Sequence, residues 1–354
     1  SVLVDGTTGK VTTGMKPKKA KKLVKQDAKR REAIRKWRGP AKLASGEPVQ
    51  LLANVQDGAD SLLAAESPVE GVGLFRTELG FLSSQVEPTV EEQGELYAAV
   101  LNAFPGEKVV IRTLDAGTDK PVPFVKHEEE ENPALGVRGV RLSFEREGLL
   151  ARQLDGIVEA KEIQKAEFPD EKPSDVWVMA PMIATIDEAK RFAKQAEDRG
   201  LKAGIMVEVP SVAVLADAFL KEVEFMSIGT NDLTQYTMAA DRMAPGLAHL
   251  TDPWQPAVLH LIANAASAGQ KAGKPVGVCG EAAADPVLAC VLTGLGITSL
   301  SMAPAAAPAV GVQLGQVTKD QCVRAAEAAL SGLSPAEAKQ KALAVLQEKT
   351  DDDE

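Results

Sequence analysis

The sequence predicts an α/β protein built as a (β/α)8 TIM barrel. Eight short apolar runs alternate with amphipathic segments between residues 50 and 302. Eight strands over about 250 residues are typical of a barrel of parallel strands covered by helices. An open, doubly wound sheet fits the alternation almost as well, but strand count and span favour the barrel. The predicted strands are residues 50–55, 71–76, 109–115, 176–182, 203–209, 225–229, 275–279 and 299–302.

Composition limits the possible functions. The chain has 354 residues, 45% of them hydrophobic and 25% charged, as in ordinary globular enzymes. A net charge of −10 gives no support for nucleic acid or an anionic membrane as partner. We expect no signal peptide, and no run reaches the apolar length of a membrane span. The three widely spaced cysteines indicate a reducing compartment, so we expect a cytoplasmic protein.

Two segments precede the predicted barrel. Residues 1–14 contain two short apolar runs around the turn signal Asp5-Gly6, which predicts a hairpin. Fourteen residues are too few for a domain, so we expect the remnant of a domain that this sequence lacks. Residues 15–45 should form a linker helix, and 46–350 the barrel and dimerisation domain. The basic run at 16–38 would also suit a nucleic-acid arm, but nothing else in the chain supports that function.

Helices are predicted between the strands and after them. Amphipathic stretches at 186–197, 212–221 and 257–272 alternate with the strands. Alanine-rich helices are expected at 309–317, 319–331 and 335–348, the last beginning with Pro335 after Ser334. The acidic end, 351–354, is expected to be a frayed tail.

Ionisable and polar side chains stand where the predicted strands end. In a barrel the active site lies at the carboxyl ends of the strands, so these groups should meet at one mouth. Such groups are costly in a pure core and natural in a site. They are Arg76, Arg112, Glu208, Asn231, Asp232 and Cys279, with Arg138 in the long connection after the third strand and Arg242 after the sixth.

The residue types suggest a cation and an anionic substrate. Glu208 and Asp232, on adjacent strands, can hold a Mg²⁺ that keeps other positions for water and substrate oxygens. The arginines offer planar forks for phosphate or carboxylate. Cys279 could act as an acid, because an ordinary thiol is mostly protonated at neutral pH.

Each of these residues also has a structural explanation. An isolated arginine at a strand end is more often a salt-bridge partner, and an isolated cysteine is more often a small core residue. The three histidines show no metal-ligand spacing, and Cys290 and Cys322 fit helix packing. The joint placement of several such groups at strand ends is what favours a site.

Five ordered motifs carry a family resemblance that covers about residues 50–345. They are Gly71 to Glu78, Arg112-Thr113-Leu114-Asp115, Glu131 to Arg138, Gly229 to Tyr236 with Asp241-Arg242, and Cys279-Gly280-Glu281. In these motifs the chain resembles the PEP-utilising enzymes, and within them the phosphoenolpyruvate–protein phosphotransferase (Enzyme I) family of the bacterial sugar phosphotransferase system.

The resemblance implies a PEP-binding barrel of the PEP/pyruvate type. In it Glu208 and Asp232 would hold Mg²⁺. Arg76, Arg112, Asn231, Asp232 and Arg242 would form the substrate site, with Arg138 near the phosphoryl group. Cys279 would protonate the methylene carbon of the enolpyruvate, giving pyruvate.

One departure from the family is important. The family's phosphate acceptor is a histidine in a Gly-Gly-x-Thr-Ser-His context on an N-terminal domain, and none of the three histidines here has that context. We therefore expect a C-terminal fragment that binds PEP and Mg²⁺ but does not alone complete transfer to the histidine-containing phosphocarrier protein. The resemblance also implies a homodimer, through the tail or through helices near 212–221 and 309–330.

Two other functions remain open at this point. A PEP-sensing module would bind the same ligand without chemistry, although it would have no need of Cys279. A carbon–carbon lyase or pyruvate-handling barrel would use the same Mg²⁺ site and would release pyruvate unaided.

Overall fold

The structure, a computed structural model, describes residues 2–4, 11–126 and 128–348. It divides into two compact units, residues 1–38 and 39–354. In the first unit, β1 (Val2–Val4) pairs antiparallel with β2 (Val11–Thr13). The predicted turn at Asp5-Gly6 lies outside the described residues. The predicted basic helix is α1 (Pro17–Lys36), which begins with proline in its first turn.

The second unit is a closed barrel of eight parallel strands, which confirms the predicted fold class. Each strand pairs with the next, and β10 closes onto β3 with Ser299 opposite Gln50. The strands are β3 (Gln50–Val55), β4 (Gly71–Arg76), β5 (Lys108–Arg112), β6 (Asp175–Ala180), β7 (Lys202–Val207), β8 (Phe225–Ile228), β9 (Val276–Val278) and β10 (Ser299–Met302).

Helices surround the barrel and follow it. Capping boxes fix the starts of several of them, for instance where Thr185 accepts from the Glu188 amide ahead of α7. The helices are α2 (Gly58–Ala65), α3 (Glu78–Leu82), α4 (Val90–Ala103), α5 (Val140–Glu145), α6 (Leu149–Glu167), α7 (Ile186–Glu197), α8 (Pro210–Val214), α9 (Ala216–Phe219), α10 (Thr230–Met238), α11 (Pro256–Ala272), α12 (Pro286–Leu295), α13 (Ala307–Leu314), α14 (Lys319–Leu330) and α15 (Pro335–Leu346). Among the described residues, no helix has both the length and the apolar character that a bilayer crossing requires.

Side chains fill the interior of the barrel. The Trp177 and Phe225 rings lie 4.8 Å apart. Gly204 makes room for them, because a Cβ there would come within 2.4 Å of the Phe225 ring. The same buried cluster includes Met206 and Cys279. The hydrophobic core therefore continues directly into the predicted site.

Five strands, β5 to β9, end one to three residues earlier than predicted, and local contacts explain the differences at β5 and β6. β5 ends at Arg112 instead of residue 115, since Glu78 Oε1 accepts from the Asp115 amide at 3.0 Å. β6 ends at Ala180 instead of residue 182. Met182 has a left-handed backbone, with φ 59°, which no strand tolerates.

The helix predicted at 212–221 is two short helices. α8 ends at Val214 and α9 begins at Ala216. Leu215 between them has ψ 28°, outside the helical range. The Asn264 side chain donates to the Ala213 carbonyl at 2.6 Å, so this oxygen is satisfied without a continuous helix.

Candidate active site

A cavity of about 330 Å³ opens where the barrel strands end. This is the mouth at which the sequence analysis expected the site. The structure brings seven of the predicted site residues to its wall, namely Arg76, Arg112, Glu208, Asn231, Asp232, Arg242 and Cys279. The eighth, Arg138, is buried directly behind Asp232.

Glu208 is a buried carboxylate with one satisfied oxygen. Its Oε1 accepts from the Met182 amide at 2.6 Å, while its Oε2 has no hydrogen-bond partner among the described residues. Burial, followed by the nearby charges of Asp232 and Asp115, raises the pKa of Glu208 well above its usual range. A buried oxygen of this kind can take a partner from outside the chain, either a water molecule or an ion.

The local backbone is strained in support of Glu208. Met182 holds the left-handed conformation that presents its amide to the carboxylate. For a residue with a side chain this conformation costs about 1–2 kcal/mol. Strain of this kind persists where the surrounding structure requires a particular geometry.

Asp232 stands in the first turn of α10, which directly follows β8. Its two carboxylate oxygens accept from Arg138 Nη1 and Nη2, at 3.2 and 3.1 Å. Asp115 accepts from the same guanidinium at 3.2 and 3.1 Å. Burial opposes the Asp115 charge, but Arg112 and Arg138 together hold the pKa of Asp115 below its ordinary value.

Arg112 is the deepest arginine of the cavity wall. Its Nη2 donates to Glu78 Oε1 at 3.1 Å, and its Nη1 lies 3.4 Å from Asp115 Oδ2. Its Nε is buried and unpartnered among the described residues. The guanidinium is therefore held rigidly, and its Nε–H remains available to donate to a ligand.

Cys279 lies on the cavity wall at the end of β9 and is 2% exposed. Its Sγ donates to the Ile228 carbonyl at 3.6 Å, and its own carbonyl accepts from Asn54 Nδ2 at 3.1 Å. Burial raises the pKa of Cys279. The side chain is therefore a neutral thiol at pH 7, available as a proton donor.

Arg76 and Arg242 stand at the open side of the cavity. Both are exposed, and neither makes an ion pair with any described residue. The Arg242 amide donates to Gln235 Oε1 at 3.0 Å, which fixes the backbone and leaves the side chain free. Two unpaired arginines beside a cavity suit an anionic ligand.

Sequence reasoning missed four residues at this site. Glu78 and Asp115 position the buried arginines, and both stand in quoted motifs, Arg76-Thr77-Glu78 and Arg112-Thr113-Leu114-Asp115. Gln56 and Lys120 also line the cavity. Gln56 directly follows the first barrel strand, so the strand-end rule, by which polar residues at the ends of the strands form the site, could have found it. Lys120 does not follow a strand directly, and that rule does not point to it.

The site chemistry fits a hard divalent cation. Glu208 offers a free buried oxygen, and Asp232 lies on the same cavity wall. The described residues contain no cluster of three or more His, Cys, Asp or Glu side chains at metal-binding distance. Mg²⁺ needs none, since it is commonly held by one or two carboxylates together with water and substrate oxygens.

The other candidate residues lie elsewhere. Among the described residues no histidine lines the cavity, and His260 instead contacts the Leu330 carbonyl at 3.0 Å. His127 lies outside the described residues. Cys290 and Cys322 are buried in α12 and α14, as the packing interpretation predicted.

Comparison with known proteins agrees with this fold. The sequence profile described as "PEP-utilising enzyme, PEP-binding domain" matches residues 30–319. The chain therefore belongs to the PEP-utilising enzymes and corresponds to their PEP-binding domain, as the motifs predicted.

Individual relatives show which members of this family the chain is similar to. The chain is 48% identical to the phosphoenolpyruvate-protein phosphotransferase of Streptomyces coelicolor, over 98% of this chain and 61% of that protein. It is 36% identical to the protein of the same name from Bacillus subtilis, over 94% of this chain and 59% of that protein. It is 39% identical to the multiphosphoryl transfer protein of Rhodobacter capsulatus, over 88% of this chain and 38% of that protein. The chain thus spans about three fifths or less of these relatives.

Proposed function

We propose that this chain is the PEP-binding part of a PEP–protein phosphotransferase. It binds PEP with Mg²⁺, passes the phosphoryl group to a histidine on a partner domain, and releases pyruvate. The observation that carries this proposal is the orphaned Glu208 Oε2, beside Asp232 and several arginines on one cavity. A cation satisfies the carboxylates, and a substrate that carries both a carboxylate and a phosphate satisfies the arginines.

Glu208 and Asp232 are the residues that would hold Mg²⁺. When bound, the ion supplies positive charge that neutralises the phosphoryl oxygens and stabilises the leaving group. Both carboxylates are buried in the barrel and less than a tenth exposed. Water therefore screens them weakly, and their attraction to a cation is strong.

The arginines divide the binding of PEP between the rim and the floor of the cavity. Arg76 and Arg242 are exposed and unpaired among the described residues, so they can close on the ligand from outside. Arg112 is fixed by Glu78 and Asp115, so it provides a rigid contact at no further ordering cost. Asn231 adds a neutral amide, since its Oδ1 already accepts from the Glu281 amide and leaves its NH₂ group available.

Cys279 is the proton donor in this proposal. Transfer of the phosphoryl group leaves an enolate of pyruvate, whose methylene carbon takes a proton from the Cys279 thiol. A new C–H bond forms, the S–H bond breaks, and the thiolate recovers its proton from water. The raised pKa of Cys279 keeps the proton on sulfur until the carbanionic carbon is at hand.

The acceptor histidine belongs to a partner in this proposal. Among the described residues no histidine lines the cavity, which is consistent with an acceptor group that enters the barrel mouth from outside. We infer that this group is the phosphohistidine domain of the family. This domain then passes the phosphoryl group to the histidine-containing phosphocarrier protein in the cytoplasm. That transfer is the first part of sugar uptake by the phosphotransferase system.

A homodimer is also proposed, and exposed apolar side chains favour some surfaces over others. In the 212–221 segment Val214 and Leu215 are 62% and 53% exposed, whereas among the described residues of 309–330 the only exposed large hydrophobic side chain is Val323, at 36%. A surface that sequence reasoning missed lies on α2, α3 and α4. These helices expose Leu62, Leu63, Leu79, Leu82 and Leu96, and of these Leu79 and Leu96 line a cavity of about 640 Å³. Large exposed apolar patches mark interaction sites, so this face is a further candidate for the dimer interface.

The function is tested by supplying the acceptor separately. The chain is mixed with PEP, Mg²⁺ and a purified phosphohistidine domain of the family, and pyruvate and acid-labile phosphohistidine are measured together. Equimolar formation of both, only with all components present, supports the proposal. A PEP-sensing module would bind PEP and give neither product. A lyase or pyruvate-handling barrel would release pyruvate from PEP or oxaloacetate without the acceptor.

A further inference from the structure

Arg138 lies between two buried carboxylates and pairs with both. Its Nη1 and Nη2 donate to Asp232 Oδ1 and Oδ2 at 3.2 and 3.1 Å. Its Nε and Nη2 donate to Asp115 Oδ1 and Oδ2 at 3.2 and 3.1 Å. The three side chains are 2%, 7% and 1% exposed, for Arg138, Asp232 and Asp115 respectively. Such pairs are poorly screened by water and therefore strong.

This pairing conflicts with the role of Asp232 as a cation ligand. One guanidinium fork engages both oxygens of the carboxylate that Mg²⁺ would use. Two positive groups at one buried carboxylate repel each other strongly. Cation binding must therefore weaken or break the Arg138–Asp232 pair.

Resting on the proposed function, we propose that Arg138 is the built-in counter-cation of Asp232, displaced from it by the divalent cation, and that Asp115 then keeps Arg138 at the site. Asp115 is a positioning residue in this exchange. The Nη1 edge that leaves Asp232 becomes free to bind the anionic substrate. Binding of the cation to Asp232 is thereby coupled to the availability of Arg138 for the anionic substrate.

Asp115 is well placed to retain Arg138 without help from the cation. Its carboxylate is also within 3.4 Å of Arg112 Nη1, and its amide donates to Glu78. Tyr236 provides a weaker, neutral contact, with its hydroxyl 3.3 Å from Arg138 Nη1. Asp115 thus anchors one side of Arg138 by charge, while the other side is held by Asp232, which the cation takes, and by the neutral Tyr236 hydroxyl.

The first test measures cation binding in the absence of PEP. Mn²⁺ is titrated into metal-free chain, and free Mn²⁺ is followed by electron paramagnetic resonance. Arg138→Met should bind Mn²⁺ about tenfold more tightly than wild type, because the competing buried charge is gone. Arg138→Lys, a safeguard against misfolding, should bind several-fold more tightly, since an ammonium cannot form the planar double fork. Equal or weaker Mn²⁺ binding by either folded variant would overturn the exchange. Arg141→Met, on the same connection, is the matched control and should behave as wild type.

The second test measures PEP affinity at saturating Mn²⁺. Arg138→Met and Asp115→Asn should each weaken PEP binding about tenfold, and the double variant should lose clearly less than the product of the two losses. A full product would show that Asp115 does not act through Arg138. Failure of the proposed function looks different, because wild type itself would then bind PEP or Mn²⁺ negligibly.

Discussion

Glu208 accepts a 2.6 Å hydrogen bond from the Met182 amide through Oε1, and its Oε2 is left buried and without a partner among the described residues. Met182 adopts a left-handed backbone to make that bond. The left-handed Met182 amide therefore fixes the Glu208 carboxyl group and leaves its second oxygen, unpaired among the described residues, on the cavity side where we propose cation binding. This relationship links backbone geometry to the chemistry of the site.

Replacing Glu208 should separate cation binding from folding. Glu208→Gln keeps an oxygen for the Met182 amide and removes the charge, so Mn²⁺ affinity should fall at least about thirtyfold, the loss of one charged ligand. The free energy of unfolding of the metal-free chain should stay within about 1 kcal/mol, because burial already favours the neutral form. Mn²⁺ titration and denaturant unfolding measure the two effects. Glu281→Gln, an exposed neighbour of the site, should change neither. Unchanged Mn²⁺ affinity in Glu208→Gln would exclude Glu208 as a ligand.

Replacing Cys279 should remove proton transfer and spare binding. Cys279→Ser should hold PEP within about threefold of wild type, while Mg²⁺-dependent exchange of pyruvate methyl protons with D₂O slows about 10²–10³-fold, the usual contribution of a general acid or base. Proton NMR of pyruvate with this chain measures the exchange without any acceptor histidine. Cys290→Ala, a second buried cysteine away from the cavity, serves as control. Equal losses of binding and exchange would show that Cys279 only shapes the site.

The strand-end rule explains why so much of this site could be predicted. Arg76, Glu208 and Cys279 were found because parallel strands of a barrel all point their carboxyl ends at one mouth. The eight strands themselves follow from apolar runs at regular spacing. Conformations beyond the strand ends depend on tertiary contacts, so the early end of β5 at Arg112 was not predictable.

The ion-pair network behind the cavity could not be predicted from the sequence either. Arg138 and Asp232 are 94 positions apart, and their contact depends on the path of a long connection. No local pattern encodes which of several carboxylates a given arginine meets. For the same reason Asp115 appeared only as part of a motif, and its double contact with Arg112 and Arg138 emerged from the structure.

Close backbone packing at Gly280 should make it intolerant of a side chain. A Cβ there would lie 2.0 Å from Thr230 Oγ1 and 2.6 Å from the Thr230 amide nitrogen, at the start of α10. Gly280→Ala should therefore lower the free energy of unfolding by about 1–3 kcal/mol, as overpacking commonly does. PEP affinity should fall with it, because Asn231 and Asp232 follow Thr230. Thermal unfolding and calorimetry measure both, with Gly246→Ala as a control in open space. Wild-type stability in Gly280→Ala would contradict the close contact.

Because of Lys108, the free energy of unfolding should depend on pH in the alkaline range. It lies over the Trp177 ring at 4.4 Å, and burial, followed by the nearby charge of Lys202, lowers the pKa of Lys108 to about 8 from 10.5. The unfolded chain therefore binds this proton more tightly, so the free energy of unfolding should rise as pH increases from about 8 to 10.5. Lys108→Met should stabilise the protein at pH 7 by about 2 kcal/mol, after allowance for partial exposure, and flatten this rise. Denaturant unfolding across that pH range measures it, and exposed Lys271→Met should keep the wild-type profile. An equally steep rise in Lys108→Met would assign the effect to another group.

The carboxylates and arginines of one barrel mouth are proposed to form a joint cation–PEP site. Calorimetric titration of PEP into the chain, with and without Mg²⁺, on wild type and Asp232→Asn, tests it most directly. Mg²⁺ should tighten PEP binding by wild type at least about tenfold, as expected when a cation bridges carboxylates and phosphate oxygens. Asp232→Asn should lose that dependence. PEP binding of equal strength with and without Mg²⁺, in both proteins, would contradict the account.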